Sequence, residues 1–212
     1  MRLKRLVDQP CRHSQDTPRG ARLGRVFGIV LAAGKGGRMG GPKARLMAFG
    51  STLAKIHAER LRDAGATRVV VVLRPEDMGL DLGPGAAVES TEPEQSGSLS
   101  RALDALAPPR DAIVLVTPVD ALPAKVETIR ALAAAVRDDT DAAVPTYQTD
   151  RGHPIAARAS VLLSSSGKPL RDVLHDLGAR RALVAVDDPA VTTDLDTPDA
   201  VMNALGGPPR FV

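Results

Sequence analysis

The sequence predicts an α/β fold with a mostly parallel, doubly wound sheet. Two observations support this prediction. Short apolar runs rich in β-branched residues, such as residues 26–33 (VFGIVLAA), have the composition of strands that are buried on both faces of a parallel sheet. Segments with apolar residues at helical spacing lie between these runs, and strands that alternate with helices form βαβ units.

The predicted elements follow one another along the chain in the order that this fold requires. The first helix has Ser51 or Thr52 as its cap and runs to about residue 64, where Gly65 ends it. The predicted strands cover residues 26–33, 69–73, 86–90, 112–116, 141–145 and 182–186, with another near 154–158. The other predicted helices cover residues 98–106, 125–137 and 198–205, with helical turns near 159–163 and 169–176.

The basic character of the chain is confined to its first 25 residues. The 212-residue chain has 28 Lys and Arg against 25 Asp and Glu, a net charge of +3. Residues 1–25 hold seven basic and two acidic residues, a charge of +5, so the remaining residues carry −2. We interpret residues 1–25 as a disordered tail, because they lack apolar periodicity. The tail is either an extension without a role or a nonspecific contact for nucleic acid or membrane.

Composition narrows the function of the remaining chain. Residues 26–206 are long enough for a single domain, and a short C-terminal tail follows at residues 207–212. Aromatic residues make up 2% of the chain, which argues against modules that stack bases on aromatic faces. Cys11 is the only cysteine, which excludes a multi-cysteine zinc site. No apolar run reaches the roughly 18 residues of a membrane helix, which argues against a membrane partner. The charge of −2 outside the tail argues against a nucleic-acid partner, and we expect a cytoplasmic protein.

A glycine-rich loop with three basic residues follows the first predicted strand. Its residues include Gly34, Lys35, Gly36, Gly37, Arg38, Gly40, Gly41 and Lys43. Glycines allow backbone amides to approach a phosphate closely, and Arg and Lys supply positive charge. The loop is not a dinucleotide fingerprint, which Met39 interrupts, nor a Walker motif, which Pro42 interrupts. It therefore predicts a phosphate site of another type, with a flexible turn as the alternative.

Asp120 is a candidate metal ligand, because it follows an apolar predicted strand at the end where ligands bind in sheets of this kind. Mg²⁺ prefers carboxylate and phosphate oxygens, so an aspartate beside a phosphate loop suits it. The alternative for Asp120 is a turn or helix-cap residue. Asp194 and Asp196 precede the last predicted helix, and either could belong to its turn or cap.

Five segments resemble the motifs of the MobA-like NTP transferases, a family of the nucleotidyltransferase superfamily. The loop with its flanks, L-A-A-G-K-G-G-R-M-G-G-P-K at residues 31–43, resembles the family signature at its glycine, Arg, Met and Lys positions. The other four segments are QSGSLS at 95–100, PVDALP at 118–123, GHP at 152–154 and DLDTP at 194–198. The last two resemble the molybdenum-cofactor cytidylyltransferase branch. The similar segments follow in order over residues 26–205.

The resemblance implies a three-layer, Rossmann-like nucleotidyltransferase fold. It implies transfer of a nucleoside monophosphate from an NTP, with CTP or GTP favoured, to a phosphorylated acceptor, with Arg38, Lys43 and Asp120 as catalytic residues. It also implies Mg²⁺ as the cofactor, bound by Asp120 and by one of Asp194 and Asp196, since only one of these two is expected to point inward. The implied nucleotide-binding residues are Leu31, Ala32, Ala33, Gly34, Gly36, Gly37, Arg38, Lys43, Gly97 and Ser98.

Several alternatives stay open from the sequence. The acceptor is a molybdopterin-type cofactor, which the late motifs favour, a sugar 1-phosphate or another phosphorylated metabolite. A catalytically weak, nucleotide-binding regulatory protein belongs to a different class. His153 is either a general base or a packed structural residue, and Arg171 and Asp172 either contact the acceptor or lie on a helix. Two segments differ from the family pattern: D-A-L-P at residues 120–123 replaces D-x-P, and residues 44–50 lack its usual apolar pair and proline turn.

Overall fold

The computed structural model describes residues 25–34, 36–165 and 167–212. Almost all of the predicted N-terminal tail, and Lys35 of the glycine loop, lie outside the described residues. The division of the chain into a tail, one domain and a short C-terminal tail stays a prediction. Within the described ranges, no helix combines the length and the apolar character that a membrane crossing requires.

Strands and helices alternate along most of the described chain. The strands are β1 (Val26–Leu31), β2 (Met47–Ala48), β3 (Ser51–Thr52), β4 (Arg68–Leu73), β5 (Gly85–Glu89), β6 (Ile113–Pro118), β7 (Ala142–Tyr147), β8 (Asp150–Arg151), β9 (Ile155–Arg158) and β10 (Arg181–Ala185). The α-helices are α1 (Leu53–Asp63), α2 (Gln95–Leu106), α3 (Val126–Ala135), α4 (Ala159–Ser164), α5 (Leu170–Asp176) and α6 (Pro198–Leu205).

An eight-stranded, mostly parallel sheet forms the centre of the molecule. Its strand order is β10-β7-β9-β6-β1-β4-β5, and β8 pairs with β7. β1 lies between β4 and β6 and is parallel to both, so that Leu31 is level with Val72 and Pro118. The chain leaves β1 toward β4 on one side and returns to β6 on the other. This reversal makes a crevice at the carboxyl ends of β1 and β6, the usual ligand position in such sheets.

Helices cover both faces of the sheet, which confirms the predicted doubly wound α/β fold. Alternate residues of β1 point to opposite faces, so Val30 belongs to one apolar cluster and Ile29 to the other. The first cluster includes buried side chains of α1, α3 and α6, and the second includes those of α2 and α4. Buried aliphatic residues dominate both clusters, as the low aromatic content predicts.

Three local features differ from the predictions. α2 begins at Gln95 rather than at residue 98. The sequence does not reveal its first turn, because that turn is polar and shows no apolar periodicity. β9 is antiparallel to both β6 and β7, so the sheet is mixed toward that edge. β2 and β3 form a hairpin that the sequence does not reveal, since two-residue strands are too short to show alternation.

A buried carboxylate joins α3 to the turn that precedes the late aspartates. Asp188 is 1% exposed. It accepts hydrogen bonds from the Lys125 amide at 2.8 Å and the Thr128 hydroxyl at 2.8 Å, and from the Ala190 amide at 3.3 Å. The bonds from α3 and from the turn at Pro189–Thr192 fix the position of the segment that leads to Asp194.

We expect Asp188→Ala to lower the free energy of unfolding by about 2–3 kcal/mol, because it removes a charged acceptor and leaves buried donors unpaired. Urea denaturation monitored by circular dichroism measures the change. Asp187, which is exposed, provides the matched control. Asp187→Ala should change the free energy of unfolding by less than about 0.5 kcal/mol. Equal effects of the two substitutions would contradict the role given to Asp188.

Candidate functional site

A pocket of about 280 Å³ opens at the carboxyl ends of β1 and β6. The glycine loop after β1 forms one wall, and the residues before and within the first turn of α2 form another. The turn after β6 and Asp196 complete the lining. The fold thus brings four of the five motif segments to one crevice, although Lys43 and Asp196 lie 153 positions apart in the chain.

The glycine loop turns back on itself so tightly that only glycine fits at position 36. Gly36 has a φ of 61°, in the left-handed region, and a Cβ there would overlap the carbonyl oxygen of Gly41. The Gly36 carbonyl accepts a bond of 2.8 Å from the Met39 amide, and Met39 is buried in the core. The start of the loop therefore lies directly against its end, and Lys43 follows at the rim of the pocket.

Lys43 binds two aspartates at once. Its Nζ lies 2.7 Å from Oδ2 of Asp120 and also contacts Oδ1 of Asp196. Burial alone would lower the pKa of the Lys43 ammonium, but its hydrogen bonds to Asp120 and Asp196 outweigh burial and raise that pKa. The hydrogen bond from Lys43 in turn lowers the pKa of Asp196. Both shifts favour the charged forms of Lys43 and Asp196. One ammonium and two carboxylates give the cluster a formal charge of −1.

Backbone pairing explains why the late aspartates lie beside Asp120. The Leu195 amide donates to the Asp120 carbonyl at 2.7 Å, and the Leu122 amide donates to the Thr193 carbonyl at 2.8 Å. Ala121 and Asp194 form an antiparallel bridge between these bonds. The segment before α6 thus runs as a short strand against the turn after β6.

The two late aspartates have different surroundings. Asp196 lines the pocket and binds Lys43, whereas Asp194 is exposed and outside the pocket lining. Loss of solvation next to the surrounding protein atoms, followed by the charge of Asp120, raises the pKa of Asp194. The cap of α6 is Thr197, whose hydroxyl accepts from the Ala200 amide at 3.2 Å. Asp196 is therefore free of the capping role that the sequence left open for it.

The nucleotide-binding residues implied by the resemblance are spread over the pocket and its support. Leu31, Ala33, Gly34, Gly36, Gly37, Arg38, Lys43 and Ser98 line it. Ala32 is fully buried, and its amide donates to the Val72 carbonyl at 2.9 Å, so it anchors the strand end. Gly97 lies against the side chain of Glu92, where a Cβ would come within 2.8 Å of that side chain.

Two glutamates of the pocket were not expected from the sequence. Glu92 and Glu94 line the wall before α2. Acidic residues in a polar loop carry no distinguishing sequence signal, so only the folded structure identifies them. Arg171 and Asp172 lie on α5, and Arg171 borders a neighbouring cavity of about 180 Å³ that also includes Leu31.

Two histidines lie near the aspartates of the site. His57 of α1 is 4% exposed, and its Nε2 lies 2.9 Å from the Ala121 carbonyl oxygen, to which the neutral ring donates. Within the described residues, Nδ1 of His153 is buried without a hydrogen-bond partner, and burial lowers the pKa of this ring. Gly152 passes so close to the Val191 carbonyl that a Cβ would overlap it, which explains the glycine of the GHP segment by packing.

The carboxylates of Asp120 and Asp196 suit a cation that binds together with phosphates. Among the residues that the structure describes, no group of three or more His, Cys, Asp or Glu side chains is arranged to hold a metal ion. Asp120 and Asp196 nevertheless share one cationic partner, which shows that their oxygens converge. Mg²⁺ is commonly bound by one or two carboxylates plus substrate phosphates, so these two residues fit such a site.

Known proteins resemble this chain over most of its length. The family described as MobA-like NTP transferase domain matches residues 28–192. A probable molybdenum cofactor guanylyltransferase from Opitutus terrae is 51% identical over 51 residues, which are 24% of this chain and only 25% of that relative. A 2-C-methyl-D-erythritol 4-phosphate cytidylyltransferase from Streptomyces coelicolor is 32% identical over 203 residues, covering 86% of this chain and 74% of that relative.

The solved structure of a nucleotidyl transferase from Methanothermobacter thermautotroptrophicus shares the fold. Its TM-score is 0.73 at 21% identity, covering 86% of this chain and 96% of that chain. The fold and the family match together define a nucleotidyltransferase. The chain belongs to the MobA-like NTP transferase family, which confirms the resemblance seen in the sequence.

We expect the stability of the protein to fall in acid because of His57. Burial lowers the pKa of His57 to about 4, whereas the ordinary value is 6.5. The unfolded chain therefore takes up this proton first, so the stabilisation is complete above pH 6.5 and is lost as the pH falls toward 4. The loss reaches about 3 kcal/mol. Urea unfolding at a series of pH values from 7 to 4.5 measures it.

His57→Gln is the matched comparison, because glutamine keeps an N–H donor for the Ala121 carbonyl but does not titrate. Groups that do not interact with His57 titrate alike in both proteins, so they do not separate the two curves. The variant should therefore show a shallower loss of stability between pH 6.5 and 4.5. Parallel curves for the two proteins would contradict the assignment to His57.

Proposed function

We propose that this protein transfers a nucleoside monophosphate from an NTP to a phosphorylated acceptor of the molybdopterin type and releases pyrophosphate. One observation carries the proposal: a glycine-rich loop with Arg38 and Lys43 shares its pocket with the Asp120 and Asp196 carboxylates. Positive groups for phosphates thus lie beside negative groups for a cation, at the ligand end of a doubly wound sheet.

The reaction requires positioning and charge stabilisation. A phosphate oxygen of the acceptor attacks the α-phosphorus of the NTP, a new P–O bond forms, and the bond from the α-phosphorus to the bridging oxygen breaks. The electron pair leaves with the pyrophosphate, on which Lys43 and Arg38 stabilise the developing charge. Because a phosphate nucleophile is already ionised near neutral pH, the step needs no general base. The buried position of His153, whose pKa is lowered by that burial, is consistent with a structural role.

Asp120 and Asp196 would hold Mg²⁺ in this proposal. When bound, the ion would neutralise negative charge on the phosphates. Lys43 now occupies the place between these two carboxylates, so it must exchange partners. The triphosphate offers Lys43 new anionic partners, and its movement toward them leaves both aspartates available. Nucleotide and cation binding are therefore expected to be coupled through one lysine side chain.

Two carboxylates in the pocket lining favour a base with an exocyclic amino group. Glu92 and Glu94 are hydrogen-bond acceptors on the wall before α2. Cytosine, guanine and adenine all present an amino donor, whereas uracil does not, so these carboxylates disfavour UTP and are compatible with CTP or GTP as the substrate. A carboxylate that accepts from such a group contributes discrimination, since an analogue without the donor leaves it unpaired.

A second acceptor has its own support. The cytidylyltransferase from Streptomyces coelicolor resembles this chain along most of both sequences, and the name of that enzyme describes a polyol phosphate acceptor. The molybdopterin-type acceptor is supported by the GHP and DLDTP segments and by the partial guanylyltransferase match. A sugar 1-phosphate, or nucleotide binding without turnover, are the remaining alternatives.

Pyrophosphate release tests the proposed function. Purified protein with Mg²⁺ is assayed across CTP, GTP, ATP and UTP, each with molybdopterin, 2-C-methyl-D-erythritol 4-phosphate or a sugar 1-phosphate. We expect turnover with CTP or GTP and molybdopterin. Lys43→Ala and Asp120→Ala should each lower the rate at least about 100-fold, because each removes charge at the reacting phosphates. Lys55→Ala is the control, since Lys55 lies on α1 and pairs with the exposed Asp81 outside the pocket.

NTP binding without pyrophosphate release for any acceptor would instead support the regulatory alternative. Absence of NTP binding at millimolar concentration would overturn the proposal. Turnover with the polyol phosphate alone would favour the second acceptor.

If Lys43 must leave the two aspartates before a cation binds, removal of its ammonium should strengthen metal binding in the absence of nucleotide. Lys43→Met removes the ammonium that holds Asp120 and Asp196, so it should tighten Mn²⁺ binding to the nucleotide-free protein by about tenfold or more. Electron paramagnetic resonance of free Mn²⁺ during a titration measures the affinity. Lys55→Met should bind Mn²⁺ like the wild type. An unchanged affinity in Lys43→Met would contradict the shared position of lysine and cation.

A further inference from the structure

We propose that residues 210–212, here called the C-terminal segment, form a clamp that holds the glycine loop after β1 in place. Phe211 is the positioning residue of this clamp. The inference rests on the proposed function only in that the loop is taken to bind the NTP. Phe211 lies outside the region that matches the family, residues 28–192, so nothing in that match assigns it a role.

The C-terminal segment pairs with the chain immediately after Lys43. The Met47 amide donates to the Arg210 carbonyl at 2.7 Å, and the Val212 amide donates to the Arg45 carbonyl at 3.3 Å. Leu46 and Phe211 form an antiparallel bridge between these bonds. The segment thus adds a strand-like edge to residues 45–47, in the region where the sequence departs from the family pattern.

The ring of Phe211 contacts the chain on the other side of Lys43. A Cβ on Gly41 would lie 3.1 Å from two ring atoms of Phe211 and 3.2 Å from a third, so the ring lies directly over Gly41. Gly41 in turn has its carbonyl against Gly36 at the start of the loop. The ring, the end of the loop and its start therefore form three successive layers, and Lys43 follows Gly41 by two residues.

Arg45 connects this clamp to the body of the protein. Its Nε lies 2.5 Å from Oδ1 of the fully buried Asp77, and a second guanidinium nitrogen donates to the Glu76 carbonyl at 2.6 Å. Phe211 also packs against the apolar cluster that includes α1 and α3. The clamp is therefore attached to the body of the protein, and loss of the ring removes a surface that the glycine-rich loop contacts.

Phe211→Ala should weaken NTP binding about tenfold and raise KM more than it lowers kcat, because the loop must be ordered by the nucleotide itself. Isothermal titration of the full chain with Mg²⁺ and CTP or GTP measures the affinity. Phe49→Ala is the matched control, since Phe49 is 74% exposed at the β2–β3 turn. An affinity of Phe211→Ala within twofold of the wild type would overturn the clamp.

A double-mutant cycle separates this role from simple loss of stability. Gly41→Ala in the otherwise unchanged protein should weaken NTP binding about tenfold, because the new Cβ pushes against the Phe211 ring. In the Phe211→Ala background the obstructing ring is absent, so Gly41→Ala should add little. Equal effects of Gly41→Ala in both backgrounds would overturn the proposal, whatever the melting temperatures of the variants.

Amide hydrogen exchange without nucleotide tests the clamp independently of the proposed function. Residues 36–46 should exchange faster in Phe211→Ala than in the wild type or Phe49→Ala. If the wild type binds no NTP, the proposed function fails, while faster exchange still supports the clamp. Unchanged exchange in this loop overturns the clamp even if NTP binds.

Discussion

The rest of the pocket depends on the interaction of one lysine with two aspartates. Lys43, Asp120 and Asp196 come from three separate parts of the chain, and their charges hold these parts together at the carboxyl ends of β1 and β6. Their partial burial strengthens the attraction relative to a surface pair. The cluster has a formal charge of −1, and under the proposed function Lys43 would exchange its aspartates for phosphates and leave both carboxylates to a cation.

Backbone contacts make this cluster geometrically precise. The D-A-L-P turn departs from the family pattern, yet its Leu122 amide binds Thr193 and its Ala121 pairs with Asp194. His57 holds the Ala121 carbonyl from α1, so the metal-binding candidate Asp120 is supported by a helix on one side and by the late segment on the other. The departure therefore has a structural use, because Leu122 donates through a backbone N–H that a proline at this position would lack.

Local patterns predicted most of the fold and part of the site. Apolar runs identified the strands of the large sheet except the two-residue β8. Helical spacing identified α1, α3 and α6 nearly to their ends. Both succeed because an element that is buried on one or both faces has apolar residues at regular positions in the sequence. The β2–β3 hairpin and the polar first turn of α2 leave no such record. The choice between Asp194 and Asp196 depends on which side chain faces Lys43, and the clamp by Phe211 depends on a contact with Gly41 across 170 positions.

The class of fold, the glycine-rich loop and the residue types offered to phosphates and a cation can be read from the sequence, because they depend on short-range patterns of hydrophobicity, glycine and charge. The folded chain selects which carboxylate joins Asp120 at Lys43, which histidine supports the turn and which residue packs on the loop. Those outcomes depend on distances between segments far apart in the chain, and such distances are set by the packing of the whole sheet and its helices rather than by any local pattern.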